Sequence, residues 1–340
     1  MPFELIPPDT KIDFIGKRYV CFVVSVLVIL AGVIAIPVRG IRLGIDFAGG
    51  TEVQVRFAEG VPVEEGAIRK VVDDCGVVDA SVVRFGELGA TDYLIRFRAG
   101  AASEAAPESG SCPLSAENVK QLAAESLAAA GAGDGSNAQV ERVKLALANS
   151  IGALEVQRVE FVGARVGSDL RRAALYSLGL SSLLILIYIG FRFSTRFAPG
   201  AVIALFHDMA ITAGIFVIAG WQFDLTVLAA LLTIMGYSLN DTIIIYDRIR
   251  ENMQLHTNYD LGEVLNRSVN QTLSRTALTG GTTFLSCLAL LFLGGPVVRP
   301  FAIAMSIGIV VGTFSSIYVA APILLYLERR TPGASVRSRA

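Results

Sequence analysis

Charge is what this 340-residue sequence has least of: Asp, Glu, Lys and Arg together make up 17% of it, and the formal net charge is −1. A near-neutral chain with no long basic run lacks the electrostatic footprint of a nucleic-acid binder. Enzyme signatures are missing as well. There is no GxxxxGK[ST] loop to cradle phosphates and no HExxH pair to hold zinc. The four cysteines form no CxxC pair, and the two histidines, His207 and His256, fall in different expected environments. A serine-hydrolase triad would have to be assembled inside apolar segments. No catalytic residue, metal or organic cofactor is therefore expected.

Apolar residues, by contrast, make up 53% of the chain, and its mean hydropathy is +0.58. That is the composition of a membrane protein. Runs of about 20 apolar residues, the length that crosses a bilayer, occur at 19–36, 173–191, 197–219, 225–246, 277–293 and 301–327. The first exceeds a signal-peptide core and ends in IPVRG, with no small-x-small cleavage site, so it reads as a retained anchor. Lys and Arg gather before span one, between spans two and three, between spans four and five, and after span six. This bias makes the segment 1–18, the loop 247–274, the tail 328–340 and hence both termini cytoplasmic. Segment 37–172 is then a domain on the far side, followed by the helices of 173–327.

Within that segment, 51–58, 80–85, 93–98 and 154–162 read as strands, and 63–75 and 138–149 as helices. Strand–helix–strand–strand–helix–strand is the order of a ferredoxin-like α+β domain. The Ala/Gly/Ser-rich stretch 99–137, with a helical-looking 115–130, is surplus to that plan and is taken as an insertion. Cys75 and Cys112 both lie in this domain, where spacing alone neither requires nor excludes a disulfide. In the loop 247–274, Asp260 reads as an N-cap for an amphipathic helix carrying Val264, Leu265, Ser268 and Val269 toward span five.

The polar residues inside the spans are few and grouped. Asp241 is the one formal charge in 225–246. Thr233, Tyr237, Ser238, Asn240 and Asp241 share less than half of an ideal helix at ~100° per residue. Arg275 opens span five, and Thr279, Thr282 and Ser286 follow it along one stripe. Asp241 lies ~8 Å from the cytoplasmic end of its helix at ~1.5 Å per residue, so it would meet Arg275 if spans four and five are neighbours. A carboxylate and a guanidinium that can meet and part form a bistable proton site. Each charge moved across the membrane is worth ~2.3 kcal/mol per 100 mV. A structural ion pair is the alternative, and Ser and Thr also serve as packing glue between membrane helices. His207 and Asp208, deeper in span three, take either a proton role or that of a satisfied buried pair.

Several stretches now carry a resemblance: GIDFAGGT (44–51), VGARVG (162–167), LFHD (205–208), MGYSLNDTIIIYDRIREN (235–252) and NQTLSRTALTGGTT (270–283). In order and spacing they resemble the SecD/SecF family of bacterial protein-export membrane proteins, on its SecF side. The resemblance implies a multi-pass α-helical membrane protein of the RND superfamily, a six-helix bundle with an exported ferredoxin-like α+β domain between helices 1 and 2. It implies a bacterial inner (plasma) membrane location with a periplasmic domain, a SecD partner, the SecYEG channel, a translocating preprotein, and YajC as a further candidate. Family members are thought to use the proton-motive force to assist export, with protons as the coupling ion. Asp241 and Arg275 match the family's proton-pathway positions, with His207, Asp208, Tyr237, Ser238, Asn240, Thr279 and Thr282 as supporting candidates. Gly44, Asp46, Phe47, Gly49 and Gly50 would couple the domain to the bundle. Two other readings stay open: half of an RND-class small-molecule exporter, and a non-motor scaffold of the translocon.

Overall fold

The computed structural model describes residues 7, 10–58, 63–75, 77, 80–85, 91–97, 112, 114, 135–193, 197–255 and 260–330. Most of the expected insertion 99–137, including its helix 115–130, lies outside them, as do His256 and the tail beyond residue 330. In chain order the elements are α1 (Arg18–Arg39), α2 (Ile45–Ala48), β1 (Gly50–Phe57), α3 (Glu65–Asp74), β2 (Ser81–Phe85) and β3 (Asp92–Phe97). There follow α4 (Gly135–Ser150), β4 (Leu154–Val162), α5 (Ala164–Arg192), α6 (Ala198–Ala219), α7 (Leu225–Leu255), α8 (Leu261–Leu293), α9 (Gly295–Ser315), a π-turn (Ser316–Ala320) and α10 (Ala321–Arg330). Leu43–Ala173 forms one compact unit and the flanking segments form another. The smaller unit thus begins six residues later than the expected 37.

Among the described residues, six helical stretches are long and apolar enough to cross a membrane: α1, α5, α6, α7, α8 and the run Val297–Glu328. The chain is a multi-pass helical protein with a small β domain. Residues of α6, α7 and the sixth span make the interior of the bundle, while α1, α5 and α8 keep most of their surface outward. Close approach is bought by small residues: a Cβ on Gly32 of α1 would sit 2.8 Å from the Gly214 backbone of α6. Two apolar clusters fill the bundle. One holds Phe14, Phe193, Phe197, Tyr246, Ile249, Leu265, Val269 and Leu324. The other holds Phe216, Val227, Ile234, Cys287, Met305 and Ile309.

Helix ends depart from the expected spans. The connection 247–274 is largely helical, because α7 runs on to Leu255 and α8 begins at Leu261. Asp260 caps α8, accepting from Gly262 N at 3.0 Å; Val264 is buried, and Leu265 and Val269 join the first cluster. The N-terminal segment is tied to the same stretch. Asn270 Oδ1 accepts from Ile12 N at 3.0 Å, its Nδ2 donates to Ile12 O at 2.9 Å, and Asn266 Oδ1 accepts from Phe14 N at 2.8 Å. Helix α5 starts at Ala164, nine residues before the apolar run predicted at 173.

In the smaller unit the strands form one antiparallel sheet in the order β2-β3-β1-β4. With α3 following β1 and α4 preceding β4, this is the ferredoxin-like arrangement. Register is set by alternation: Val53, Val55 and Phe57 of β1 and Tyr93, Ile95 and Phe97 of β3 all point to one face, with Val53 opposite Ile95. That face is covered by Ile68 and Val72 of α3 and Val143 and Leu147 of α4. Burying each such side chain contributes about 1.5–3 kcal/mol. On the other face, Arg56 pairs with Asp92 at 2.8 Å and Arg96 with Glu52. The Asp92 carboxylate raises the exposed Arg56 guanidinium above its ordinary value, first by hydrogen bonding and then by charge. Cys75, which closes α3, is disulfide-bonded to Cys112.

Candidate functional site

Asp241 sits on the inward side of α7 and is 1% exposed. Its Oδ2 is buried with no hydrogen-bond partner, and no cation lies within ion-pair distance among the described residues. Arg275 is near enough to act on Asp241 through charge, but the two do not touch and Arg275 is exposed. The expected direct pair is therefore open in this structure. The helix phase that brought both residues toward each other fixes their depth, not the reach of a long side chain.

The other members of the expected α7 face part company. Thr233 and Asn240 are exposed on the bundle's surface. The Tyr237 hydroxyl is buried and points at α8, toward Thr279 and Thr283, where a Cβ on Gly280 would stand 3.6 Å from it. On α8, Thr279 and Thr282 donate to carbonyls of their own helix, those of Arg275 at 3.0 Å and Leu278 at 2.9 Å. Thr282 and Ser286 are exposed, so the stripe headed by Arg275 faces out of the chain. The neighbouring Thr276 Oγ1 is buried and unpartnered.

Ser238 belongs elsewhere. Its hydroxyl donates to Asp208 Oδ2, and Ser315 Oγ donates to the same oxygen at 2.8 Å. Asp208 is 0% exposed on α6, and its Oδ1 lies 2.9 Å from His207 Nδ1. Around the edge of this cluster, Thr242 Oγ1 and Ser316 Oγ are 2.9 Å apart, and the Tyr246 hydroxyl donates to Ala320 O at 3.0 Å. Ser315, Ser316 and Thr242 carried no sequence signal beyond being hydroxyls in an apolar run. The pair Ser315-Ser316 facing an acidic span was the available clue.

Both ends of the smaller unit's glycine motifs meet. Gly49 turns the chain between α2 and β1 with φ 73° and ψ 154°. A Cβ there would come within 2.8 Å of Ala164 Cα, and one on Gly167 within 2.8 Å of Gly49 N. GIDFAGGT and VGARVG are thus two halves of one close backbone contact. Gly44 precedes α2, Phe47 is buried, and Gly50 pairs with Val162 at the start of the β1–β4 ladder.

Comparisons with known proteins agree with this architecture. The family described as "Protein export membrane protein SecD/SecF, C-terminal" matches residues 142–330, and "SecD/SecF GG Motif" matches 34–61. The protein translocase subunit SecF of Calditerrivibrio nitroreducens is 37% identical over 326 residues, 95% of this chain and 96% of that one. That of Vibrio alginolyticus is 36% identical over 325 residues, 96% of this chain and 92% of that one. The crystal structure of SecDF, a translocon-associated membrane protein from Thermus thermophilus, superposes with a TM-score of 0.77 at 33% identity. It covers 97% of this chain, which spans only 40% of that longer protein. On family match, identity and fold together, this chain belongs to the SecD/SecF family of protein-export membrane proteins.

Proposed function

We propose that the chain is an accessory subunit of the Sec protein translocase in the bacterial inner membrane. It works as the SecF-type half of a SecD–SecF assembly and assists preprotein export by means of proton movement. The role is transport rather than catalysis. The observation that carries the proton part is Asp241: a carboxylate 1% exposed, inside a membrane-grade helix, with an unpartnered oxygen and a guanidinium nearby but not in contact. A purely structural pair would be closed, because an uncompensated buried charge costs about 3–5 kcal/mol. Ionisable groups held inside membrane helices are typical of proton relays. Arg275 gates the proton on Asp241 by moving between this separated arrangement and a paired one.

The outward stripe of Arg275, Thr282 and Ser286 on α8, together with the exposed Asn240 and Thr233 on α7, supports the partner. A guanidinium turned to hydrocarbon is costly, and a second helical bundle of SecD type would cover it. Contacts with SecYEG, YajC and the preprotein follow from the resemblance. The Cys75–Cys112 disulfide supports a periplasmic position for the smaller unit, since disulfides persist in oxidising compartments. Both termini are then cytoplasmic. We assign coupling between domain and bundle to the Gly44–Gly50 turn (with Asp46 and Phe47), because it packs on the start of α5, which continues as a span.

The test is Asp241→Asn and Arg275→Met in separate strains. Both variants are expected to accumulate normally and to lose the proton-dependent part of export. Unchanged proton-dependent export in both would sink the proton role and leave a scaffold.

A further inference from the structure

The His207–Asp208 cluster lies apart from the Asp241–Arg275 site in its hydrogen bonding, yet shares a helix with it. Asp208 Oδ2 accepts hydrogen bonds from two hydroxyls, and its Oδ1 lies within hydrogen-bond distance of His207 Nδ1. With the carboxylate ionised, Nδ1 must carry a hydrogen, which leaves Nε2 as a bare lone pair. That Nε2 is buried, its side chain 7% exposed, and it has no partner. Buried polar atoms are nearly always paired, so an orphan of this kind calls for a function. In this state the dyad holds one net negative charge in the bundle's interior. One added proton makes the dyad neutral.

We propose that His207 and Asp208 form a second one-proton site in the bundle, with Nε2 as the atom that gains and loses the proton. The inference rests on the proton-coupled reading above. Uptake forms an Nε2–H bond with a proton taken from water, and release returns that proton to water and restores the neutral imidazole. No other bond changes. Ser238 ties the dyad to α7, three residues before Asp241. Ser315 ties it to the residue that leads into the π-turn, and such turns are frequent at functional sites in helices. The dyad, itself on α6, is therefore bonded to two other elements of the interior, α7 and α9.

Titratable groups on the elements packed against α6 include Arg18, Tyr19, Cys21 and Arg39 on α1, and Tyr237, Asp241, Tyr246, Asp247, Arg248, Arg250 and Glu251 on α7. The π-turn carries Tyr318, α9 carries Arg299, and α10 carries Tyr326 and Glu328. Among the described residues, the hydrogen bonds that reach Asp208 from other elements come from the Ser238 and Ser315 hydroxyls, and the group at ion-pair distance from it is His207. The His207 ring lies parallel to Phe314 with centroids 6.4 Å apart, packed on one face by a group that does not titrate.

His207→Asn separates a proton site from a structural one. Asn keeps an N–H where Nδ1 stands, and so keeps the bond to Asp208, but it has no nitrogen that can be protonated. The assay is proton-dependent export across pH 6–9 in membranes holding the full chain with its SecD-type partner. His207→Asn at normal abundance is expected to lose most of that export and its pH dependence. Wild-type rate and profile for His207→Asn, alongside loss in Asp241→Asn, overturn the dyad and leave the Asp241 reading standing. No effect in either overturns both. A measurement without substitution at the site guards against misfolding: 15N-histidine NMR of the full chain in bilayers, carrying His256→Gln so that one histidine remains. The Nε2 signal is expected to change as the proton is taken up and released; a signal that stays the same at every pH overturns the proposal.

Discussion

Replacing Gly49 by Ala should unfold the sheet domain far more readily, although the change adds one methyl group. Two costs combine. At φ 73° and ψ 154° the backbone lies in a region that essentially only glycine occupies, worth about 1–3 kcal/mol for any other residue. The new Cβ would also stand 2.8 Å from Ala164 Cα and 3.1 Å from its nitrogen. Those neighbours are backbone and cannot rotate away, so the strand end or the start of α5 must shift, at about another 1–3 kcal/mol. A total of about 2–6 kcal/mol corresponds, at ~1.4 kcal/mol per tenfold, to at least ~30-fold faster opening-limited exchange. The assay is hydrogen exchange at the amides of Val53, Val55 and Ile95 in the full chain in bilayers, with Gly66→Ala as the control. Gly66 lies in α3 with nothing within 4 Å of a new Cβ, so Ala there should stabilise by up to ~1 kcal/mol. Exchange in Gly49→Ala within about threefold of wild type would refute the close-contact reasoning.

Two further expectations concern ties elsewhere in the chain. Cys75→Ser opens a covalent link across a sequence separation of 37, and should destabilise the sheet domain by about 2–4 kcal/mol. Protease resistance in rising urea reads this, and an unshifted midpoint would count against it. Asn270→Ala removes both hydrogen bonds to Ile12, together worth about 1–3 kcal/mol. The Ile12 amide should then exchange about tenfold faster or more, whereas Phe14, held by Asn266, changes less.

The bundle's spans could be read from the sequence because bilayer thickness sets their length, and an apolar run of that length has few other uses. Their true ends could not. Residues 247–255 and 261–276 are too polar to register as span, and they stay helical through the Asp260 cap and the burial of Ile249, Val264 and Leu265. The order of the sheet domain followed from the alternation in 51–58 and 93–98, and the strands fall within a residue or two of those bounds. At the site, Asp241 stood out because a lone carboxylate among apolar residues has no other reading than burial with consequences. Its relation to Arg275 was legible only as depth. Ser238 was grouped with Asp241 by helical phase, yet its hydroxyl goes to Asp208, since a fully buried carboxylate with no cation in contact needs donors wherever neighbours offer them. Serine is too common in membrane helices for Ser315 to have announced itself as the second donor.

Helix α8 has a length whose effect reaches beyond its own contacts. Its 33 residues make one unbroken rod of about 50 Å, against a hydrocarbon layer of about 30 Å. Roughly 20 Å of it therefore projects as a lever arm, with its fulcrum where the rod enters the layer. Arg275 is on this rod, and so are Asn266 and Asn270, which grip the chain's N-terminal segment. A tilt of about 10° at the fulcrum would swing the free end by about 3 Å, the length of a hydrogen bond. A rearrangement too small to notice at Arg275 would thus reach Asn266, about 12 Å out along the arm, as a shift of about 2 Å, enough to strain its bond to Phe14.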